Sequence, residues 1–171
     1  MNSAVCVLTH NSKKSMKGVV RFEQKNKDSD VDITLDLSGF PPGYHAIHIH
    51  EAGDLTEGCS SACAHFNPYN KNHGGQQDKE RHVGDLGNIY INKNGICNDK
   101  FKDHLITLKG KHSIIGRCVV IHDKEDDLGN GGLDSKGNII DEKVHQESLK
   151  TGNAGKRIAC GVIGYSAKMF K

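Results

Sequence analysis

The sequence has no tryptophan, only three prolines and no hydrophobic run that approaches the length of a membrane span. A transmembrane helix needs about 20 consecutive apolar residues, so we expect no membrane partner. Neither sign of charge dominates, because the chain has 23 lysines and arginines and 21 aspartates and glutamates. This balance argues against nucleic acid as a partner. The first 18 residues contain no uninterrupted apolar stretch typical of a secretory signal, so we expect a cytoplasmic protein.

Glycine and histidine are the residues in excess. The 171 residues include 20 glycines and 11 histidines, whereas a typical protein has about 7% glycine. Abundant glycine with little proline favours a turn-rich β protein over a disordered chain. The length predicts one domain, spanning residues 1–171. Because imidazole is the commonest metal ligand near neutral pH, the spacing of the histidines indicates whether a metal site is present.

Period-two alternation of apolar and polar residues predicts strands along most of the chain. Residues 31–37 alternate most clearly, so one side of this strand packs into a core and the other contacts water. Similar short runs predict seven further strands, at residues 4–8, 18–24, 44–50, 85–91, 96–102, 114–122 and 158–165. Asn94 and Gly95 predict a hairpin turn. No amphipathic helix is predicted, so the sequence indicates an all-β fold of about eight strands.

Two segments, residues 51–81 and 123–156, read as long loops rich in glycine, asparagine and charged residues. Loops longer than about 12 to 15 residues within a compact domain are usually functional or disordered. These two contain or adjoin nearly all the informative histidines, so we expect them to carry the functional site.

Histidines at particular spacings suggest a metal site. Within residues 43–51, side-chain alternation puts His48 and His50 on one side of a strand, although exposed strand histidines would show the same pattern. Four further candidates follow at irregular spacing: His65, His73, His82 and Asp85. Three imidazoles and a carboxylate suit tetrahedral zinc, and scattered surface histidines are the alternative. His122 ends an apolar strand, and a nitrogen-rich set that includes it suits copper.

Six segments carry a more specific signal. They are GYHAIHIHEAGD (43–54), HFNP (65–68), HGG (73–75), RHVGDLGN (81–88), SIIGRCVVIHDKEDDLGNGG (113–132) and KTGNAGKRIACGVIG (150–164). Together they resemble the copper/zinc superoxide dismutase family over residues 4–165. The resemblance implies an eight-stranded antiparallel Greek-key β-barrel or sandwich, immunoglobulin-like, with two long functional loops. It also implies conversion of two superoxide anions and two protons to O₂ and H₂O₂ by alternate reduction and oxidation of copper.

The resemblance assigns metal ligands residue by residue. It implies one copper per chain, held by His48, His50, His65 and His122. It implies one zinc per chain, held by His65, His73, His82 and Asp85. His65 would then bridge the two metals as an imidazolate. Asp126 matches the family's acid that links a copper histidine to a zinc histidine, here His48 and His73, and such partners fix the orientation of imidazole ligands.

The resemblance also implies roles in catalysis and substrate steering. Arg157 matches the arginine that docks superoxide beside copper, and a planar, permanently charged guanidinium suits a small anion. His65 would carry a proton to the second superoxide. Residues at positions that line the family's channel are Lys124, Lys150 and Thr151. The family is itself a standard example of electrostatic steering.

The six cysteines form no CxxC pair. Composition alone predicts reduced thiols, because disulfides are uncommon inside cells. The resemblance instead implies an internal disulfide between Cys59 and Cys160. Cys63 stands where the family usually has a small residue, and it is either a competitor in disulfide exchange or an inert loop thiol. The other three lie in or beside predicted strands as small core residues: Cys6, Cys97 and Cys118.

Departures from the family pattern affect steering and assembly. An extra segment, Asp134 to His145, carries more acidic than basic residues, so it either slows anion access or extends into solvent. Ala52 replaces a common aromatic dimer contact, although a homodimer is still expected. A copper chaperone is a candidate partner. The alternative function is a non-enzymatic copper- and zinc-binding or copper-delivery module on the same fold, but the chain keeps every metal ligand and Arg157.

Overall fold

The computed structural model of the protein describes residues 2–9 and 16–170. The strands within these residues are β1 (Asn2–Leu8), β2 (Lys17–Gln24), β3 (Val31–Ser38), β4 (Gly43–His50), β5 (Thr56–Cys59), β6 (Asp85–Ile91), β7 (Ile96–Asp103), β8 (Cys118–His122) and β9 (Arg157–Tyr165). The helix α1 spans Glu142–Thr151, and short 3₁₀ turns lie at Ser60–Ala62 and Ala167–Phe170.

All strands except the short β5 form one antiparallel sheet in the order β6-β4-β8-β9-β1-β2-β3-β7. The two edge strands, β6 and β7, are consecutive in the chain and contact each other, so the sheet curls into a nearly closed barrel. A turn closed by the Gly95 N–H and the Asn92 carbonyl, 2.9 Å apart, joins them. The predicted eight-stranded, all-β Greek-key fold is confirmed.

The two halves of the barrel bury their strands differently. In β3 the inward side chains are buried and alternate with half-buried or exposed ones, as the sequence pattern predicted. In β4 the six residues from His45 to His50 are all buried. Ile47 and Ile49 belong to the hydrophobic core, whereas His48 and His50 point to the opposite side. That outer side is covered by the long loops, which places polar side chains in a buried environment.

The segment 123–156 was predicted to be a loop without helix, and this prediction was wrong for α1. Asp141 caps the helix by accepting a hydrogen bond from the Val144 N–H at 3.0 Å, and Gly152 ends it in a left-handed conformation. Only Ser148 of the helix is buried, so the sequence lacks the apolar periodicity that indicates a helix. None of the helices in the described residues is long and apolar enough to span a membrane.

One predicted strand was too long at its start. Strand β8 begins at Cys118, because Ile114 to Arg117 form a turn in which Gly116 has φ +82°. The Gly116 N–H donates to the Ile163 carbonyl of β9 at 2.8 Å. The alternation of apolar and polar residues does not reveal this turn, nor does it reveal β5 within the first long loop.

A disulfide joins Cys59, at the end of β5, to Cys160 in β9. The expectation of reduced thiols from composition was therefore wrong, and the pairing implied by the family resemblance is confirmed. The bond ties the first long loop to the barrel. The three cysteines expected to be core residues are buried, whereas Cys63 is exposed.

Candidate metal centre

Strands β4 and β8 lie side by side and carry three of the candidate ligands. His48 and His50 alternate along β4, and His122 ends β8. The chain that follows β4 folds back along it, so that His65 pairs with His50 through a β-bridge. Ligand nitrogens of His48, His50, His65 and His122 lie within 4.8 Å of one another. The sheet and one returning loop therefore bring four imidazoles together.

In each of the three histidines on β4 and β8, one ring nitrogen forms a hydrogen bond with another residue. His48 Nε2 donates to Asp126 at 2.7 Å, His50 Nδ1 to the Cys63 carbonyl at 2.9 Å, and His122 Nδ1 lies 3.3 Å from the Gly155 carbonyl. The opposite nitrogens are buried and have no hydrogen-bond partner among the described residues. A buried polar atom without a partner is costly. A metal ion at the centre of the set accounts for these nitrogens.

A second set surrounds Asp85. Its Oδ1 lies 2.9 Å from His65 Nδ1, 3.0 Å from His73 Nδ1 and 3.1 Å from His82 Nδ1. The His65 and His82 nitrogens are 3.3 Å apart. A tetrahedral zinc ion with bonds of about 2.0 Å separates its ligand atoms by about 3.3 Å, so the spacing fits zinc. The cluster of ligand atoms within 4.8 Å here contains His48 with His65, His73 and Asp85. His82 joins the set through its own 3.1 Å approach to Asp85 Oδ1.

Two features of this second set favour a bound ion that adjoins the first set. His73 Nδ1 is 3.0 Å from Asp85 Oδ1, yet its geometry is not that of a hydrogen bond. A short separation without hydrogen-bond geometry is expected when both side chains coordinate one ion instead of bonding to each other. His65 takes part in both sets, because its Nδ1 lies beside Asp85 and its ring centroid is 3.9 Å from that of His48.

Asp126 connects the two sets from outside. Its carboxylate oxygens accept hydrogen bonds from His48 Nε2 and His73 Nε2, both at 2.7 Å. Asn88 holds Asp126 in turn, since its side chain donates to the Asp126 carbonyl at 2.9 Å and accepts from the Asp126 N–H at 2.7 Å. Asp126 was predicted from the sequence, whereas Asn88 was not, because its only signal was its place in the RHVGDLGN motif.

Burial keeps the imidazoles of the first set neutral. Burial, with repulsion from His65, lowers the pKa of His48 and of His50 well below the usual range. Burial also lowers the pKa of His65, and it lowers that of His122 to about 4. Neutral imidazoles are the form that binds metal, so this set is ready for an ion at neutral pH.

The second set contains an ionised carboxylate. Burial would raise the pKa of Asp85, but the adjacent imidazoles of His65, His73 and His82 hold it far below its usual range. Burial would lower the pKa of His73, yet its hydrogen bond with Asp126 and its closeness to Asp85 outweigh burial and raise it to about 9. A permanently ionised carboxylate among imidazoles suits a divalent cation.

A cavity of about 880 Å³ leads from the surface to the first set, and its lining includes His50, His65 and His122. Arg157 also lines it, with Nη1 donating to the Cys59 carbonyl at 2.8 Å and Nη2 to the Cys63 carbonyl at 2.6 Å. The guanidinium is thereby held beside His50, whose Nδ1 shares the Cys63 carbonyl.

The cavity rim carries mostly positive charge. The predicted channel residues Lys124, Lys150 and Thr151 all line it. Lys71 and Glu147 also line the cavity but were not predicted, since neither belongs to a recognisable metal or anion motif. The cavity lining among the described residues contains no residue of the extra segment 134–145.

Comparison with known proteins agrees with this geometry. Residues 16–163 match the family model of copper/zinc superoxide dismutase (SODC). The chain is 53% identical over 165 residues to superoxide dismutase (Cu-Zn) A of Xenopus laevis, covering 96% of this chain and 99% of that protein. It is 51% identical over 168 residues to the superoxide dismutase (Cu-Zn) of Yarrowia lipolytica, covering 98% and 100%. It is also 53% identical over 156 residues to that of Paramecium bursaria Chlorella virus 1, covering 91% and 76%. The buried ligand sets and these matches together place the chain in the copper/zinc superoxide dismutase family.

Proposed function

We propose that this protein is a superoxide dismutase that converts two superoxide anions and two protons to O₂ and H₂O₂. The observation that carries the proposal is the pair of adjoining buried ligand sets that share His65. One is the cluster of four imidazoles, and the other is the group of three imidazoles around Asp85 Oδ1. Four imidazoles suit copper, and three imidazoles with a carboxylate suit zinc. Bound copper supplies the one-electron redox chemistry, whereas zinc has no redox states and organises the loops.

The proposed copper ligands are His48, His50, His65 and His122. The proposed zinc ligands are His65, His73, His82 and Asp85. The buried nitrogens without hydrogen-bond partners support the first assignment, and the ligand spacings near 3 Å support the second. Each chain would hold one ion of each kind, with Asp126 fixing the rings of His48 and His73.

Arg157 is proposed to bind the superoxide anion. Its contacts with the carbonyls of Cys59, Ser60 and Cys63 use three of the five guanidinium donors, which leaves two for an anion in the cavity. These contacts also fix the guanidinium before the substrate arrives, so little reorganisation is needed on binding.

His65 is proposed to hold and deliver a proton at Nε2. Its Nδ1 is committed to the set around Asp85, so the ring stays in place and Nε2, the nitrogen that it would offer to copper, would carry a proton only when it does not hold that ion. The ring also lines the cavity, where it is within reach of a bound anion. The second superoxide would receive its proton from this nitrogen.

Lys124, Lys150 and Thr151 are proposed to guide the anion to Arg157. The two lysines give the rim positive charge, which raises the encounter rate of an anion. Thr151 Oγ1 donates to Glu147 Oε1 at 2.8 Å, and this hydrogen bond holds the one acidic side chain of the rim. Since the cavity lining of the described chain lacks the extra segment, we propose that this segment does not obstruct access.

Several finer points stay predictions. They are a homodimer, a copper chaperone as partner, a cytoplasmic location and the organisation of residues 1–171 as a single domain. A homodimer is supported by exposed apolar side chains on neighbouring strands, namely Val7 and Val162.

The test combines a metal assay with a dismutation assay of the purified protein. We expect one copper and one zinc per chain, and we expect His48→Ala to lose both copper and activity. Arg157→Ala should keep both metals while kcat/KM falls about a hundredfold, the loss typical of removing a preorganised anion donor. Arg21→Ala, an exposed arginine on β2, is the control and should leave kcat/KM unchanged. Full metal content without activity would instead support a metal-binding or copper-delivery protein.

A further inference from the structure

Cys63 is an exposed free cysteine, and the residue lines the cavity that leads to the proposed copper ligands. Its backbone has φ +63° and ψ −151°, a region that residues other than glycine rarely adopt. Its Sγ lies 3.6 Å from the Ser61 carbonyl. The sulfur is not among the ligand atoms that cluster within 4.8 Å, so it is not a member of the final copper set.

Two buried nitrogens lie in the wall of the same cavity. His50 Nε2 and His122 Nε2 have no hydrogen-bond partner among the described residues, and the two side chains belong to residues only 1% and 4% exposed. Both residues line the cavity together with Cys63. Cys63 therefore lines one cavity with the two histidines that carry these nitrogens, and its carbonyl accepts a hydrogen bond from His50 Nδ1 at 2.9 Å.

The charge of the rim opposes the arrival of a cation. The cavity is lined by four cationic side chains and one carboxylate: Lys71, Lys124, Lys150, Arg157 and Glu147. This arrangement attracts superoxide but repels a copper ion. A sulfur ligand in the cavity would offset this repulsion, because thiolates bind Cu(I) strongly and discriminate against the harder cations.

We propose that Cys63 captures Cu(I) at the cavity mouth and passes it to His50 and His122. The inference rests on the proposed copper set. When Cu⁺ binds the sulfur, the thiol loses its proton to water. The copper–sulfur bond then breaks as His50 Nε2 and His122 Nε2 take the ion, and the sulfur regains a proton from water. Copper stays monovalent throughout, so the transfer needs no oxidant or reductant.

The test follows copper uptake by the full-length chain with its disulfide intact, zinc bound and copper absent. Under anaerobic conditions the protein is mixed with Cu(I) held by bicinchoninate, and loss of the coloured complex is followed by stopped flow. We expect Cys63→Gly and Cys63→Ser to slow uptake about tenfold, the lower end of the effect of losing a supporting group at a metal site. Glycine suits the backbone at this position, so Cys63→Gly should fold. The control is Cys97→Ala, which removes a buried free thiol on β7 and should take up copper at the wild-type rate.

A trapping variant gives a second readout. His122→Ala removes one acceptor of the ion, so Cu(I) should accumulate on the thiol and give a sulfur signal in X-ray absorption. The double variant His122→Ala/Cys63→Gly should lack that signal. Wild-type uptake rates in Cys63→Gly, or an unchanged sulfur signal in the double variant, would overturn the capture role and leave the proposed function intact. If the fully loaded wild-type protein lacked nitrogen coordination of copper, the proposed copper set itself would be wrong.

Discussion

At the scale of single residues, the metal centre depends on how each imidazole is oriented rather than on the number of histidines. His48 and His73 each give one nitrogen to Asp126, which leaves their Nδ1 atoms directed toward the two ligand sets. Asp126 is 2% exposed and is held by Asn88, so it cannot rotate freely. One carboxylate thus determines which nitrogen of two different rings is available to metal.

Replacing this carboxylate should weaken zinc binding without removing a ligand. Asp126→Asn keeps one acceptor oxygen but puts an NH₂ group beside the other imidazole N–H, so one ring loses its partner. We expect zinc affinity to fall about 10- to 100-fold, measured by competition with a chelator. Glu125→Gln, at the exposed neighbouring position, should bind zinc like the wild type. Equal zinc affinity in all three proteins would show that Asp126 does not orient His73.

At the scale of secondary-structure elements, the end of α1 supports the second ligand set. The Leu149 carbonyl in the last turn accepts from the His73 N–H at 2.8 Å, and the Gly152 carbonyl accepts from the Asp127 N–H at 2.9 Å. Gly152 has φ +66°, and a Cβ there would collide with Asp126 Oδ1 and His73 Nε2. The helix can therefore approach the metal centre only because it ends in glycine.

Two glycine substitutions separate backbone strain from this collision. Gly137→Ala, at φ +83° with open space around it, should cost only about 1–2 kcal/mol for the left-handed backbone. Gly152→Ala has the same backbone cost and displaces Asp126 and His73 as well. We expect it to lower stability further and to release zinc at lower chelator concentration, as followed by denaturant unfolding and zinc titration. Indistinguishable behaviour of the two variants would contradict the close packing at the helix end.

The elements also show what a sequence can and cannot predict. Strand β3 was predicted well because alternation directly reflects burial on one side. Helix α1 was missed because its surface is mostly exposed, although Asp141 and Gly152 are typical boundary residues. The fold and the candidate ligands followed from spacing and family resemblance. The roles of Asn88 and Glu147 depend on loop conformations that place distant residues together, which no local pattern encodes.

At the scale of the whole molecule, the Cys59–Cys160 disulfide connects the first long loop to the barrel across 101 positions of sequence. A chain-entropy model gives about 4.7 kcal/mol for closing a loop of this length. The bond also fixes the Cys59 carbonyl that accepts from Arg157. The disulfide and the proposed anion-binding arginine are therefore anchored at the same residue, Cys59.

The outer surface of β1 and β9 supports an interface between two copies. Val7 is 62% exposed and Val162 is 40% exposed, on strands that pair directly. Val162 also approaches Gly53, so this apolar surface continues into the loop beside Ala52. We expect a dimeric mass by light scattering, because exposed apolar patches of this kind mark association sites.

A charged substitution in this patch tests the interface. Val162→Lys should shift the mass to that of a monomer, because a lysine would be buried without a partner. Ile96→Lys changes an exposed apolar residue at the start of β7 and should leave the mass unchanged. A monomeric wild-type protein would contradict the predicted homodimer.

Strand β4 carries core isoleucines on one side and the proposed metal ligands His48 and His50 on the other. A slip of one residue in the pairing of β4 with β8 would turn His48 and His50 into the hydrophobic core. The same slip would turn Ile47 and Ile49 toward the proposed metal sites. A chain with this pairing error would therefore lose its copper and zinc sites together with its core. Metal loading thus serves as a check on strand pairing, since only correctly registered molecules can retain the ions.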